Sequence, residues 1–291
     1  MRAKTYKLLA LFGMMVVLTL ARAAGTDTVL AQDTAFAPVV ANASQCTVTV
    51  QPGQSIQSAV VPARSGAVIC VRAGVYSEQI KLKAKNTGVT LMSYPGEKAI
   101  IDGRNQVPAV TAKNTTPPLI LIDGENIVVD GFEVRNSAAR GVTVSKSNVT
   151  VRNMLIRDNK SNGLLVSSAT STNIRNVLIE NNIVHNNLLK NAGGAAGGNA
   201  LGFIQTESST ARGNVVSHNY GEGLAAGRYT RNIVLEDNTV YDNRGANVYL
   251  INTINVTVRR NFIFCTNDPI SWRGTGGQYR PGPGLQVRDE D

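Results

Sequence analysis

The sequence predicts an all-β chain wound as a single-stranded right-handed parallel β-helix, with about 22–24 residues per coil and a short N-terminal capping helix. Three observations predict it. First, the text repeats from Asn126 onward: Asn126-Ile127-Val128-Val129, Asn148-Val149-Thr150-Val151, Asn232-Ile233-Val234-Leu235 and Asn255-Val256-Thr257-Val258 open units of one grammar. Self-similarity at a fixed period of this length marks a solenoid. Second, each unit holds short runs of Val and Ile bounded by Asn, Gly or Ser, too short and too β-branched for helices. Third, Asp130, Arg152, Glu180, Arg212, Glu236 and Arg259 fall at one position of the unit and alternate in sign, as residues facing one another on neighbouring strands should. A leucine-rich repeat has a similar period, but its Leu-x-x-Leu-x-Leu frame is missing.

At the N-terminus, Arg2, Lys4 and Lys7 precede an apolar run from Leu8 to Leu20, and Ala21-Arg22-Ala23 supplies small residues for cleavage. This is the layout of a secretory signal peptide, residues 1–23, with a second cut available after Ala31. The run is short for a bilayer span, and no later run is long enough, so no span is expected once the signal is removed. The 29 Lys+Arg and 20 Asp+Glu give a formal charge of +9, which falls to +5 when Arg2, Lys4, Lys7 and Arg22 leave with the signal. No dense basic patch interleaved with aromatics remains, which argues against nucleic acid as a partner. A mildly basic exported surface suits an acidic polysaccharide. Residues 24–44, rich in Ala, Thr and Val without a period, read as a linker.

Residues 45–104 read as the N-terminal cap and first coils. Ser55-Ile56-Gln57-Ser58-Ala59-Val60 suggests a short amphipathic helix that plugs the end of the core. There follow Ala67-Val68-Ile69-Cys70-Val71, Gly74-Val75-Tyr76-Ser77-Glu78, Val89-Thr90-Leu91-Met92-Ser93 and Ala99-Ile100-Ile101-Asp102-Gly103. Cys46 and Cys70 stand one coil apart; they either bridge neighbouring strands at the cap or remain two buried thiols, and Cys265 has no evident partner.

The order of these segments resembles the first coils of the pectin lyase-like superfamily, which includes pectinesterases and several polysaccharide lyases. With the repeats that follow, the resemblance covers about residues 46–291 and implies the fold; one such fold hosts many chemistries. Gly74, Tyr76 and Glu78 read as turn and packing residues. The Gly-His-Gly block of polygalacturonase-like hydrolases is absent, since the two histidines are His185 and His218. The Gln-Asp-Thr-Leu and Asp-Phe-Ile-Phe-Gly blocks of pectinesterases and the Trp-Ile-Asp-His and Arg-x-Pro-x-x-Arg pair of many pectate lyases are absent too.

Residues 105–291 read as the repeats. Aligning them predicts one asparagine row at Asn182, Asn214, Asn238 and Asn261 and another at Asn159, Asn187, Asn219 and Asn243. Asparagine suits tight bends and bonds to its own kind along a stack, so both rows read as structural. The charge row reads as an exposed salt-bridge ladder, each link worth well under about 1 kcal/mol, and makes its face a poor place for a binding site. Gly284-Leu285-Gln286-Val287 matches Gly163-Leu164-Leu165-Val166 as the last strand of a coil, and only Arg288-Asp289-Glu290-Asp291 follow. The expectation is therefore a fragment lacking a complete C-terminal cap, or an end masked by that acidic tail.

The candidate site is the turn at and beyond the second asparagine row. The residues just before it are Asp158, Asn186, His218 and Asp242, and Lys160, Tyr220, Glu222 and Arg244 lie just beyond. His218, Glu222, Asp242 and Arg244, from two neighbouring coils, are the candidate catalytic group. A glycosidase needs an acid and a base flanking the bond; a lyase needs a base and a cationic clamp for the uronate carboxylate. Lys160, His185, Lys190, Arg228, Tyr241 and Tyr249 are candidate substrate-binding residues. The Gly-rich insertion Leu188 to Ala200 lacks the lysine and spacing of a phosphate loop; it is either a flap over a groove or an exposed bulge. No cofactor motif is evident. Asp158 and Asp242 lie three coils apart, roughly 14 Å, too far to share one calcium ion, so a metal site is left undefined. The competing reading of the whole group is a polar turn face held by its own hydrogen bonds.

The sequence thus points to a secreted or cell-surface β-helix protein that interacts with extracellular polysaccharide. The alternatives are a polysaccharide lyase or glycoside hydrolase acting on uronate-containing glycans, and a structural, adhesin-like surface protein. Oligomeric state leaves no trace in the sequence.

Overall fold

Each repeat unit supplies one strand to each of three parallel sheets, visited in fixed order. The unit 178–204 shows the rule: Leu178–Glu180 joins the first sheet, Ile183–His185 the second and Asn199–Ile204 the third. The computed structural model describes residues 43–167, 174–192, 197–266, 268–269, 272–275 and 278–289. The signal peptide and nearly all of the linker read above, and the centre of the Gly-rich insertion, fall outside the described residues. The first sheet runs from Val48–Val50 to Ile254–Arg259, the second from Gly74–Tyr76 to Phe262–Phe264, and the third from Ile80–Lys83 to Leu285–Arg288. Eight strands in each of the second and third sheets make eight coils among the described residues.

The charged row lies in register: Asp130 faces Arg152, Arg152 faces Glu180, and Arg212, Glu236 and Arg259 continue it. Instead of a continuous ladder it closes as pairs, Arg152–Asp130 at 2.7 Å, Arg212–Glu180 at 2.8 Å and Arg259–Glu236 at 2.7 Å. One guanidinium cannot serve two carboxylates on opposite sides equally well, so each Arg of the row closes on the acid of one neighbouring coil. Arg260 adds a second bond to Glu236, and to Asp237; the hydrogen bonds from these arginines hold Glu236 and Asp237 below the usual carboxylate range.

Alternation along each strand sends one set of side chains inward. Val129, Val151, Ile179, Ala211 and Leu235 form one continuous inner row of the first sheet, all buried. Both asparagine rows bond along the axis. Asn159 Nδ2 donates to Asn187 Oδ1 at 2.8 Å, Asn187 to Asn219 at 3.1 Å and Asn219 to Asn243 at 2.8 Å. Asn182, Asn214, Asn238 and Asn261 do the same, each link at 2.9 Å. The residue before each member of the first of these rows (Asp158, Asn186, His218, Asp242) has φ between 51° and 55°, a left-handed conformation in which Asn, Asp and His are the enriched non-glycine residues. That explains their residue types without reference to a ligand.

The helix Ile56–Val60 closes the N-terminal end, with Ile56 and Val60 fully buried. Ser55 caps it, accepting from the Ser58 N–H, and Glu78 accepts from the N–H groups of Ile56 at 2.7 Å and Gln57 at 3.0 Å. Glu78 is thus a helix-capping residue, and Tyr76 donates its hydroxyl proton to the Arg72 carbonyl, as the packing reading of this segment expects. Cys46 and Cys70 are disulfide-bonded with Cα atoms 5.6 Å apart, which decides between the two expectations, while Cys265 is a free thiol. Leu285–Arg288 pairs with Val248–Ile251 as the matching of Gly284-Leu285-Gln286-Val287 predicts. Between the last second-sheet strand and this one lies an antiparallel pair, Arg273–Thr275 with Gln278–Arg280, which the repeat pattern gives no sign of.

Candidate functional site

The corner between the second and third sheets is where coils differ most in length. The chain departs there over residues 103–117 in the second coil and over 186–198 in the fifth, and the sequence-predicted site residues gather along it.

His218, Asp242 and Arg244 line one cleft of about 180 Å³ together with Asn186, Asn219, Tyr220 and Asp268. His218 Nε2 stands 3.9 Å from Asp242 Oδ2 and 3.9 Å from Asp268 Oδ2, just outside direct hydrogen-bond reach. Two carboxylates flanking one imidazole are held by different means. Asp242 is buried and accepts from the Thr266 N–H at 2.8 Å and the Thr266 hydroxyl at 2.6 Å. Asp268 is more open, with a side-chain exposure of 35% against 1% for Asp242. The edge of the His218 ring meets the face of Tyr241 with centroids 5.4 Å apart, and Tyr241 stacks on Phe264 at 4.7 Å. The arrangement can relay a proton between an imidazole and a carboxyl group. Since both aspartates lie within 3.9 Å of one nitrogen, their separation falls below the ~9.5 Å upper limit for a glycosidase pair.

Arg244 spends its guanidinium inside the fold. Its Nη1 donates to the carbonyls of Asn191 and Ala192, tying the start of the Gly-rich insertion to the seventh coil, and its plane lies 5.9 Å over the Tyr220 ring. Glu222 opens a third-sheet strand in register with Asn199 and does not line the cleft. Of the four candidate catalytic residues, three therefore meet.

The candidate binding residues divide by place. Lys160 donates to the Asn105 carbonyl at 3.3 Å, and the Lys190 N–H donates to the Lys160 carbonyl at 3.1 Å, so the two lysines sit on successive coils of this corner. Neither takes part in a salt bridge among the described residues. His185 and Tyr241 belong to the outward row of the second sheet, separated by Ser217. Tyr249 lies on the third sheet between Ala225 and Gln286. Arg228 is at the opposite corner, in a left-handed turn after the third sheet, away from the other candidates. No group of three or more metal-binding side chains occurs among the described residues.

Two features escape the sequence reading. Asp268 and Thr266 follow the last regular asparagine unit, where alignment to the repeat stops. On the outer second sheet, Arg135 bonds Asp102 at 2.8 Å and Glu133 at 3.1 Å, and Arg157 bonds Glu133 at 2.7 Å and also Asp158. Burial pushes the Asp102 carboxyl up, but hydrogen bonds from the Arg104 N–H, Arg135 and Asn136 outweigh it and leave it below the usual range. Asp158, one of the candidate turn residues, is thereby committed to Arg157. Strand register would have revealed this row, since Asp102, Arg135 and Arg157 face one another.

Comparison with known proteins agrees with this architecture. Similar solved structures include pectate lyase Pel9A (14% identity, TM-score 0.51, 86% of this chain and 81% of that one). The enzymatically active domain of tailspike protein 2 of bacteriophage CBA120 has 13% identity and a TM-score of 0.49, over 82% of this chain and 46% of that one. Alginate lyase from Paenibacillus sp. str. FPU-7 has 12% identity and a TM-score of 0.43, over 84% of this chain and 100% of that one. At 14% identity the likeness to Pel9A is one of fold. No curated protein sequence matches the chain. A family model for the Pel9A-like right-handed β-helix region matches residues 36–250, and by that match and by its coils the chain belongs to the Pel9A-like right-handed β-helix family.

Proposed function

We propose that the protein is exported and binds an acidic, uronate-containing polysaccharide laid along the corner between the second and third sheets. One observation carries this reading. In the Asp130-to-Arg259 row and in the Asp102–Arg135–Glu133–Arg157 cluster the arginines are matched with carboxylates. At this corner Lys160 and Lys190 stand on successive coils with no acid partner among the described residues. Cations left unmatched on a solvent-facing track attract a polyanion through long-range steering. The family to which the chain belongs supports a carbohydrate-related role.

A second reading, lyase or hydrolase chemistry, draws on the placing of His218 between Asp242 and Asp268 in the cleft at the end of that track. Binding and turnover on a panel of uronate-containing and neutral polysaccharides separate the two. The expected result is uronate-selective binding, weakened by added salt and by about tenfold in Lys160→Ala/Lys190→Ala. Equal binding of neutral glycans, or none at all, contradicts the proposal. Unsaturated products or new reducing ends, lost in both His218→Ala and Asp242→Asn, would establish the catalytic reading.

A further inference from the structure

The two ends of the solenoid are not alike. At the N-terminal end the core is closed: Ile56 and Val60 of the cap helix are fully buried, and Gln57 Oε1 accepts from the edge N–H of Lys81 at 2.6 Å. At the other end the three sheets finish, among the described residues, on Ile254–Arg259, Phe262–Phe264 and Leu285–Arg288, each paired along one edge only. By register their inner side chains are core residues. Val256 and Val258 follow Ile233 and Leu235, Ile263 follows Val240, and Leu285 and Val287 follow Val248 and Leu250. Those five predecessors are buried, whereas Leu285 is 49% and Val287 67% exposed, and Val256, Val258 and Ile263 are only partly covered. Edge strands with free backbone groups around an exposed apolar core form a docking surface, and an occupant that adds a strand to each sheet would satisfy both.

Charge selects the occupant. The Asn252 N–H donates to the Arg288 carbonyl at 3.1 Å, so Asp289 sits beside the start of the strand Ile254–Arg259, and Glu290 and Asp291 follow it in sequence. Arg259 and Arg260 stand at the finish of that strand, roughly 16 Å away. They bond Glu236 and Asp237 yet keep more than half of their side-chain surface exposed, and a guanidinium has donors for a further carboxylate. A copy stacked in the same sense would present its closed N-terminal end, so two chains can share this surface only through a two-fold axis across the solenoid. With the axis through the middle of Ile254–Arg259, that strand and its copy run antiparallel, and Asp289 of each chain faces Arg259 and Arg260 of the other. We infer that this end is the interface of a two-fold dimer, closed by the Ile254–Arg259 strands and by contacts between Asp289 and the Arg259–Arg260 pair. The axis leaves through the corner between the second and third sheets, so the track proposed there would run on from one copy into the other. The dimer does not depend on that reading.

Sedimentation velocity of the exported protein should show a concentration-dependent dimer. Val287→Lys and Ile254→Lys change side chains that are 67% and 60% exposed, so each should leave the melting midpoint of the dilute protein close to that of wild type. Each should weaken association by tenfold or more, because a cation from either copy then enters the apolar end. Two further variants, Asp289→Cys and Arg260→Cys, both in a Cys265→Ser background, test the axis. A short bismaleimide should join the two proteins when they are mixed and should join neither to itself. A protein that stays monomeric at the highest concentration used overturns the inference. A dimer indifferent to both lysine substitutions shows that another surface associates and overturns it too. Linkage of Arg260→Cys to itself, or no linkage in the mixture, overturns the two-fold arrangement.

Discussion

Asn219→Ala is expected to lower the unfolding free energy by about 3 kcal/mol. Asn219 occupies the middle of the row that runs from Asn159 to Asn243, and its amide is buried. Its Oδ1 accepts from the Asn187 N–H at 2.9 Å and from Asn187 Nδ2 at 3.1 Å, while its Nδ2 donates to the carbonyls of Val184 and Ser217 and to Asn243 Oδ1. Truncation removes all five bonds and leaves the Asn187 backbone N–H buried with no acceptor. Orphaning a buried donor costs about 1–3 kcal/mol, more than the net worth of the bond itself. A cavity adds to it. For a domain of this size the melting point should fall by roughly 6–12 °C. Asn255→Gly supplies the contrast. Asn255 donates to Asn232 at 2.8 Å in an exposed link with φ of 53°, which glycine tolerates, so the change should stay within about 0.5 kcal/mol. Denaturant midpoints of the two variants, at unchanged m, check both. Equal effects would show that the buried rows do no more than the exposed one.

Removing the bridge in Cys46→Ala/Cys70→Ala is expected to cost a further large amount, about 3 kcal/mol. The bond closes a loop of sequence separation 24, and loop-closure entropy of the unfolded chain gives this magnitude. Cys70 is fully buried in the second first-sheet strand, where it faces Thr49, so the bond ties the cap strand Val48–Val50 to the first coil. The cap helix, held by Glu78, sits between these two strands in sequence. Unfolding of the wild type under reducing conditions should therefore match the double variant. A wild-type midpoint indifferent to reductant would mean that the cap is fixed by Ile56, Val60 and Glu78 alone.

The repeat made much of this architecture legible. A solenoid turns sequence spacing into spatial adjacency, so aligning Asp130, Arg152, Glu180, Arg212, Glu236 and Arg259 on paper also aligned them in space. The asparagine rows were legible for the same reason. Reading failed where the period broke. Asn247 takes the next place in the Asn159 row by accepting from Asn243 at 3.0 Å within its own coil, because the following coil offers Thr266 where a further Asn would stand. Asp268 reaches the His218 cleft from that same irregular coil. Register gave neighbours but could not say where a long side chain ends, so Arg244 looked like a clamp and proved to be tied to Asn191 and Ala192.

The register of the coils is tested most directly by cysteine cross-linking in a Cys265→Ser background. Thr210 and Val234 face each other on adjacent first-sheet strands, both pointing outward from the core. Parallel neighbours are about 4.8 Å apart, inside the range of Cα separations a disulfide accepts. Thr210→Cys/Val234→Cys should oxidise to a bridged monomer with little change in melting point. Thr210→Cys/Asn232→Cys, displaced by two residues along the strand, exceeds the ~7 Å limit and should stay reduced. Efficient bridging of the displaced pair with failure of the aligned one would contradict the stacking on which every row, corner and cleft described above depends.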